Sequence, residues 1–123
     1  MKILVVDDEP ITLDMIEQTL TNAGYTVIKA TDGYQALESI DRDNPDLIIS
    51  DIMMPNMSGL GLLSLLKQFY FSKIPVILVS TLDKAEVTLT ALGLGAVDFI
   101  VKPINFDELV LRVKKYSKKE NPE

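Results

Sequence analysis

The feature that most constrains the fold of this chain is a regular alternation between short apolar runs and segments with helical spacing. Each run is too short for a helix and is rich in apolar and β-branched residues, which is typical of strands buried on both faces. The five runs are Ile3–Val6, Tyr25–Ala30, Leu47–Ser50, Ile74–Val79 and Val97–Val101. Strands that alternate with helices predict a parallel sheet with helices on both faces. The sequence therefore predicts an α/β, doubly wound, three-layer domain.

Residues with known terminal preferences mark the predicted helices that follow these runs. Pro10 suits the first turn of the first helix, and Gly24 is a stop signal after it. Asp83, followed three residues later by Glu86, matches a capping box that would open the fourth helix. Asp107–Tyr116 has the spacing of a fifth helix. These signals predict one helix after each strand.

The polarity of the runs separates an expected edge strand from an expected central one. Thr26 and Lys29 make the second run partly polar, so we expect it at an edge of the sheet. The fourth run is fully apolar and is expected inside the sheet. Periodicity alone leaves the order of the five strands open.

The residue types that the chain lacks narrow its chemistry. It has no cysteine and no histidine, which excludes disulfides, thiolate or imidazole metal ligands and histidine-containing catalytic triads. Any chemistry must therefore use carboxylates, lysine and hydroxyl groups. The net charge of −6 argues against direct binding to nucleic acid or to an anionic membrane, because phosphate contacts need clustered lysine and arginine.

The length of 123 residues fits one domain. We expect this domain over residues 1–118 and a polar tail over residues 119–123. The start of the chain has too few apolar residues before its first two aspartates for a signal peptide or a membrane anchor. The expected location is therefore the cytoplasm, with no contact to a membrane.

Charged and polar side chains stand at the carboxyl ends of four of the five predicted strands. These residues are Asp7 and Asp8, Asp51, Ser80 and Lys102. Because the carboxyl ends of parallel strands share one edge of a sheet, where open α/β sheets bind ligands, we expect these side chains to meet. Three carboxylates at close range repel one another and need a cation to stay ionised. Oxygen-only ligation predicts Mg²⁺.

Each of these residues also has a simpler interpretation. Asp7 or Asp8 could cap the first helix, Ser80 could be a turn hydroxyl, and Lys102 could be solvated. Their coincidence at one edge of the sheet favours a site instead. A carboxylate beside Mg²⁺ and a lysine can attack phosphorus and form an aspartyl-phosphate, and it needs no general base because it is already an anion.

The residues resemble the receiver domains of two-component response regulators, and the resemblance covers essentially the whole chain. It is carried by LVVDDE at the first strand, SDIMMPNMSG at the third, PVILVS at the fourth, GAVDF at the fifth, and the VKP run that follows. The resemblance, closest to chemotaxis-type receivers, implies a flavodoxin-like sheet in the order 2-1-3-4-5. It also implies a cis peptide bond before Pro103 that would aim Lys102 into the acidic site.

The resemblance implies a role for each candidate site residue. Asp51 would be the phosphoacceptor, and Lys102 would contact the phosphoryl group. Ser80 would be the switch hydroxyl, and Phe99 would be the switch aromatic. The implied Mg²⁺ ligands are Asp7, Asp8, Asp51 and the backbone carbonyl of Met53.

The implied function is that of a phosphorylation-activated signalling switch rather than a multiple-turnover enzyme. A sensor histidine kinase or a phosphotransfer protein would donate the phosphoryl group. A face made of the fourth helix, the fifth strand and the fifth helix would report the state to a downstream protein or output domain. Met53 and Thr81 depart from the smaller or more polar residues common in the family, which predicts slow self-dephosphorylation.

A phosphorylation-dependent homodimer through the same face is a further expectation. Asp98, Glu108 and Arg112 stand where one receiver subfamily places intersubunit ion pairs, but Thr88 occupies the position where a basic residue is expected. The set of charges is therefore incomplete.

Two other functions are compatible with such a sheet. A Mg²⁺-dependent aspartyl phosphohydrolase needs a second acid two residues after its nucleophile, and position 53 is methionine. A flavin-binding electron carrier needs a phosphate-binding loop after the first strand, where Asp7, Asp8 and Glu9 would repel phosphate. Both are therefore disfavoured.

Overall fold

The computed structural model of the protein describes residues 1–69, 73–82 and 84–117. Within these ranges strands and helices alternate as predicted. The strands are β1 (Lys2–Val6), β2 (Thr26–Ala30), β3 (Leu47–Asp51), β4 (Val76–Ser80) and β5 (Asp98–Val101). The helices are α1 (Pro10–Asn22), α2 (Gly33–Asp43), α3 (Gly59–Phe69), α4 (Ala85–Gly93) and α5 (Phe106–Ser117). Asp83, with the capping box predicted there, and the predicted tail lie outside the described residues.

The sheet is parallel, and its strand order is β2-β1-β3-β4-β5. This confirms the order that the resemblance implies and the edge position predicted for β2. In the register, Val6 is opposite Ser50 and Asp51 is opposite Val79. The end of β3 therefore lies between the ends of β1 and β4, in the middle of the edge where ligands are expected.

Helices cover both faces of the sheet and create two apolar clusters. On one face α1 and α5 bury Leu13, Ile16, Leu20, Leu109 and Val113 against the odd-numbered residues of β1. On the other face α2, α3 and α4 bury Ala36, Ile40, Leu62, Leu63, Leu66 and Ala91. Full burial of one leucine or isoleucine side chain stabilises the fold by about 1.5–3 kcal/mol. The two clusters fix the sheet between its helices and leave the site at its edge.

Some strand ends differ from the predicted ones by one or two residues. β4 begins at Val76 rather than at Ile74, and β5 begins at Asp98 rather than at Val97. β3 extends through Asp51, which continues the backbone ladder although its side chain is charged. The cause is general: apolar patterns report side-chain burial, whereas a strand is defined by its backbone hydrogen bonds.

The first helix begins directly behind the acidic residues of β1. Pro10 is its first residue, as predicted, and Glu9 holds the N-cap position without a side-chain cap. Gly24 follows the helix with a φ of +101°, a conformation that favours glycine. Among the described residues, no helix combines the length and the apolar character that crossing a bilayer requires.

Candidate functional site

Three carboxylates meet where β1 and β3 end. Oxygen atoms of Asp7, Asp8 and Asp51 all lie within 4.8 Å of one another. Asp7 and Asp51 are buried, with 2% and 7% of their surfaces exposed, whereas Asp8 is exposed. The neighbouring strands bring them together because Asp7 and Asp8 directly follow β1 and Asp51 is the last residue of β3. No other group of three potential metal ligands is present in the described parts of the chain.

Lys102 supplies the positive charge of the cluster. Its Nζ lies 3.1 Å from Asp7 Oδ2 and 3.1 Å from Asp51 Oδ2, and its side chain is 15% exposed. The lysine directly follows β5, and its backbone N–H donates to the Ser80 carbonyl oxygen at 2.8 Å. The peptide bond between Lys102 and Pro103 is cis, as the resemblance implies.

Burial and the ion pairs shift two pKa values in the cluster. Burial raises the pKa of the Asp51 carboxyl, and the Lys102 ammonium opposes that shift only in part. Burial lowers the pKa of Lys102, but its hydrogen bonds and ion pairs with Asp7 and Asp51 outweigh burial and raise it overall. Lys102 is therefore an ammonium at neutral pH. The cluster contains one ammonium and three carboxylates, so a further cation would offset its excess of negative charge.

The donor atoms suit Mg²⁺. Bonds of about 2.1 Å hold the ligand atoms of an octahedral Mg²⁺ ion up to about 4.2 Å apart. The carboxylate oxygens at this edge are within 4.8 Å of one another, so small movements would bring them to that spacing. All of the candidate donors are oxygens, which a hard cation prefers. The residues present therefore fit the metal that the sequence predicts.

Asp7 and Asp51 are further oriented by backbone N–H groups. Asp7 Oδ1 accepts from the Glu9 N–H at 2.9 Å. Asp51 Oδ1 accepts from the Met53 N–H at 3.4 Å, which is long for a hydrogen bond. Within the described residues, the Asp8 side chain has neither an ion pair nor a hydrogen bond. Each carboxylate therefore has a different environment.

The loop between β3 and α3 folds back onto the end of β3. The Gly59 N–H donates to the Ile52 carbonyl oxygen at 2.8 Å. A Cβ atom at Gly59 would lie 2.2 Å from the carbonyl oxygen of Asp51, so a larger residue would displace the backbone there. Ser58 Oγ accepts from the Gly61 N–H at 3.0 Å and caps the start of α3. This close approach fixes the backbone of Asp51.

Two further candidates lie on β4 and β5. Ser80 is fully buried at the end of β4, and its Oγ accepts a hydrogen bond from the Leu82 N–H at 3.0 Å. Phe99 lies in β5, is partly buried and packs against the apolar cluster of the α2–α4 face. Met53 and Thr81, the two residues that depart from those common in the family, are both exposed.

The structure thus brings Asp7, Asp8, Asp51 and Lys102 together, as expected for parallel strand ends. The simpler interpretation of Lys102 as solvated is wrong, because the side chain is paired and largely buried. Asp7 and Asp8 do not hold the N-cap position of α1. Ser80, in contrast, does bond as a turn hydroxyl. The roles that the resemblance implies for these residues stay predictions.

Sequence reasoning missed two contacts that shape the site. The close approach of Gly59 to Asp51 was not predicted, although a glycine just before an apolar helix can indicate such an approach. The Leu82 N–H was not predicted as the partner of Ser80, because side-chain-to-backbone bonds of this kind follow from loop conformation.

A second charged group lies on β5 and α5. Arg112 pairs with Asp98, and its Nη2 lies 2.7 Å from Glu108 Oε2. All three side chains expected to pair between subunits are therefore paired within the chain in this structure.

Comparison with known proteins gives a consistent result. The family model for the response regulator receiver domain matches residues 3–114. The probable transcriptional regulator ycf27 of Porphyridium aerugineum is 40% identical over 113 residues, which cover 92% of this chain and 46% of that protein. The probable transcriptional regulatory protein TcrX of Mycobacterium tuberculosis is 36% identical over 112 residues, 91% of this chain and 47% of that protein. The chain therefore spans about half the length of these curated relatives.

A solved structure matches over nearly the full chain. The receiver domain of the Francisella response regulator 1452 has a TM-score of 0.93 and 35% sequence identity, and the match covers 98% of both chains.

Proposed function

Because this chain belongs to the receiver domains of response regulators, the signalling switches of two-component systems, we propose that it is switched by transfer of a phosphoryl group to Asp51. The donor is a phosphohistidine on a sensor kinase or on a phosphotransfer protein. The observation that carries this proposal is the position of Asp51. It ends the central strand, it is within 4.8 Å of two further carboxylates, and it is paired with Lys102.

Asp51 is a better nucleophile candidate than its two neighbours. Both oxygens of Asp7 are engaged, one by Lys102 and one by the Glu9 N–H. Asp8 is exposed and makes no ion pair with Lys102. One oxygen of Asp51 pairs with Lys102, and the other has only a long contact of 3.4 Å with the Met53 N–H. An oxygen with so weak a contact can turn toward phosphorus at little cost.

In the proposed step, Asp51 Oδ attacks phosphorus in line with the bond to the donor imidazole. The new O–P bond forms as the N–P bond breaks, and the electron pair of that bond returns to the imidazole nitrogen. Lys102, held beside Asp51 Oδ2, contacts the transferred oxygens and compensates part of their charge. The deprotonated form of Asp51 needs no base, and Lys102 favours that form.

Asp7, Asp8, Asp51 and the Met53 carbonyl would hold Mg²⁺, in keeping with the acidic Mg²⁺ pocket that receiver domains generally have. When bound, the metal neutralises charge on the phosphoryl oxygens. A bound cation would stabilise the charge of Asp8 more than that of Asp7 or Asp51, because no protein group in the described residues compensates the charge of Asp8.

We assign the relay of the phosphorylated state to Ser80 and Phe99. Ser80 accepts from the Leu82 N–H, and a hydroxyl that accepts one hydrogen bond can still donate its own O–H to a phosphoryl oxygen. Rotation of this hydroxyl toward the phosphoryl group would pull on the segment after β4, and Phe99 would repack in the neighbouring strand β5. The face made of α4, β5 and α5, hereafter the output face, would then change.

Exposed apolar side chains on the output face support this role. They are Leu89, Leu92, Val101 and Leu111, each with more than two-fifths of its surface exposed. The partner on this face would be a downstream protein or an output domain. The two curated relatives are described as transcriptional regulators and are about twice as long as this chain. With its net charge of −6, this chain would act as the switch, without contacting nucleic acid itself.

The proposal is tested with a small phosphodonor, such as an acyl phosphate, and Mg²⁺. Intact mass should show one added phosphoryl group on the wild type and on Asp41→Asn, a matched control on the exposed side of α2. Asp51→Asn should gain none. If the Asp51→Asn variant still gains a stable phosphoryl group, another residue is the acceptor.

We further propose that the aspartyl-phosphate is long-lived. Hydrolysis needs a water in line with phosphorus and opposite Asp51, and Met53 and Thr81 are the residues expected on that approach. The thioether of Met53 is long and apolar and is a poor acceptor for orienting water. Thr81 adds β-branched bulk, although its hydroxyl could hold a water. The exclusion of water by these two side chains should outweigh the effect of a water held by the Thr81 hydroxyl, because poor orientation of a reactant costs orders of magnitude in rate.

The test is the decay of the phosphorylated chain in excess Mg²⁺ after removal of the donor. Met53→Asn and Thr81→Ala should decay faster than the wild type, whereas Met15→Leu, an exposed methionine change on α1, should not. Unchanged or slower decay in both site variants would contradict the shielding of phosphorus by these side chains.

A further inference from the structure

The five methionines of the chain differ in their access to solvent. Met54 and Met57 pack against one apolar cluster, and Met1 packs against the other. Met53 and Met15 are exposed, with 58% and 47% of their surfaces accessible. Small oxidants must reach sulfur to react with it, so these two thioethers are the most susceptible.

Only one of the two exposed thioethers belongs to a residue that contacts Asp51. The Met53 N–H is 3.4 Å from Asp51 Oδ1, and the sulfur is three bonds from the Cα atom of the same residue. Rotamers of this flexible side chain can therefore place sulfur over the carboxylate. Met15 lies on α1 and has no contact with Asp51 among the described interactions. It is a matched exposed methionine within the same chain.

We propose that Met53 is a site of reversible oxidation by peroxides, and that its sulfoxide shortens the lifetime of the phosphoryl group on Asp51. A sulfur lone pair attacks one peroxide oxygen, and the O–O bond breaks. The transferred oxygen loses its proton to the departing hydroxide, so that hydrogen peroxide yields one sulfoxide and one water. Sulfur is oxidised by two electrons and the peroxide is reduced by two. The lifetime part of the proposal rests on the proposed function of Asp51.

The change in lifetime follows from the change in polarity at Met53. A thioether is a weak hydrogen-bond acceptor, whereas a sulfoxide carries a polar S=O group that accepts strongly. An acceptor above the phosphoryl group can orient the attacking water that the apolar side chain excludes. One hydrogen bond to that water corresponds to a roughly tenfold faster decay. Reductases that act on methionine sulfoxide would restore the slow rate.

The experiment begins with limiting hydrogen peroxide on the unphosphorylated chain, followed by peptide fragmentation mass spectrometry. The sulfoxide should appear at Met53 and Met15 before Met54 and Met57. Reduced and oxidised chains are then phosphorylated with the same acyl phosphate, and decay is followed in excess Mg²⁺. The oxidised wild type and oxidised Met15→Leu should decay roughly tenfold faster than their reduced forms.

Met53→Leu isolates the effect, because it keeps the backbone carbonyl and the apolar bulk but cannot form a sulfoxide. Peroxide should leave its decay rate unchanged, and sulfoxide reductase should return the oxidised wild type to its original rate. Preferential oxidation of Met54 or Met57, or equal decay of reduced and oxidised wild type, overturns the inference while phosphorylation at Asp51 stands. Failure of the reduced wild type to take up a phosphoryl group overturns both.

Discussion

The three carboxylates of the acidic site share one ammonium group, that of Lys102. Lys102 pairs with Asp7 and Asp51 but not with Asp8. The sequence predicted which residues would meet, because parallel strands must end at one edge of the sheet. It could not predict how Lys102 divides its contacts, since long side chains choose among several partners at similar energies.

Removal of the Asp8 charge is expected to stabilise the metal-free protein and to abolish Mg²⁺ binding. In the presence of a chelator, the free energy of unfolding of Asp8→Asn should exceed that of the wild type by about 1 kcal/mol. The substitution removes the repulsion between Asp8 and the carboxylates of Asp7 and Asp51, which solvent screens in part because Asp8 is exposed. Glu38→Gln, an exposed charge change on α2, is the control and should have little effect.

Denaturant unfolding and calorimetric Mg²⁺ titration measure these two effects. An Asp8→Asn chain that binds Mg²⁺ as tightly as the wild type would exclude Asp8 as a ligand. An unchanged free energy of unfolding would show that the three carboxylates are not crowded in solution.

The strands and helices were largely predictable, because strands covered on both faces must be continuously apolar. The runs at β1, β3 and β4 carry this signal, and the mixed polarity of Thr26 and Lys29 identified β2 as an edge. The order of the strands was not encoded in periodicity and came from the resemblance. Backbone contacts between a loop and a strand, such as that of Gly59 with Asp51, are even harder to predict from the sequence.

The close approach at Gly59 gives an expectation for the β3–α3 loop. Gly59→Ala should lower the free energy of unfolding by about 1–3 kcal/mol, because the added methyl would meet the Asp51 carbonyl oxygen and force the backbone apart. It should also slow phosphorylation, since the backbone of Asp51 would move.

Gly93→Ala is the matched control for this change. Nothing lies within 4 Å of a Cβ atom at Gly93, the last residue of α4, so alanine there should fit without strain and stabilise the protein by about 0.4–1 kcal/mol. Equal effects of the two substitutions in thermal and denaturant unfolding would show that the contact at Gly59 does not constrain the loop.

Assembly of two chains through the output face stays a prediction. Asp98, Glu108 and Arg112 are already paired within the chain, so a dimer would have to exchange these contacts for intersubunit ones. Exposed pairs contribute only about 0.2–1 kcal/mol each. We therefore expect a weak, phosphorylation-dependent dimer.

Thr88→Lys should strengthen that dimer by restoring the basic residue missing from α4. Sedimentation of the phosphorylated and unphosphorylated forms of both chains measures the effect. If both phosphorylated chains remain monomeric at high concentration, the output face does not mediate self-association.

The whole molecule functions as proposed only if the phosphoryl group resides on Asp51. Reductive trapping tests this directly, because borohydride converts an acyl-phosphate to an alcohol and marks the residue that carried it. After phosphorylation with Mg²⁺ and a small donor, peptide mass spectrometry should find this mark at Asp51 alone, and omission of Mg²⁺ should remove it. A mark at Asp7 or Asp8, or a phosphoryl group that resists borohydride and remains on Ser80, would contradict the proposed function.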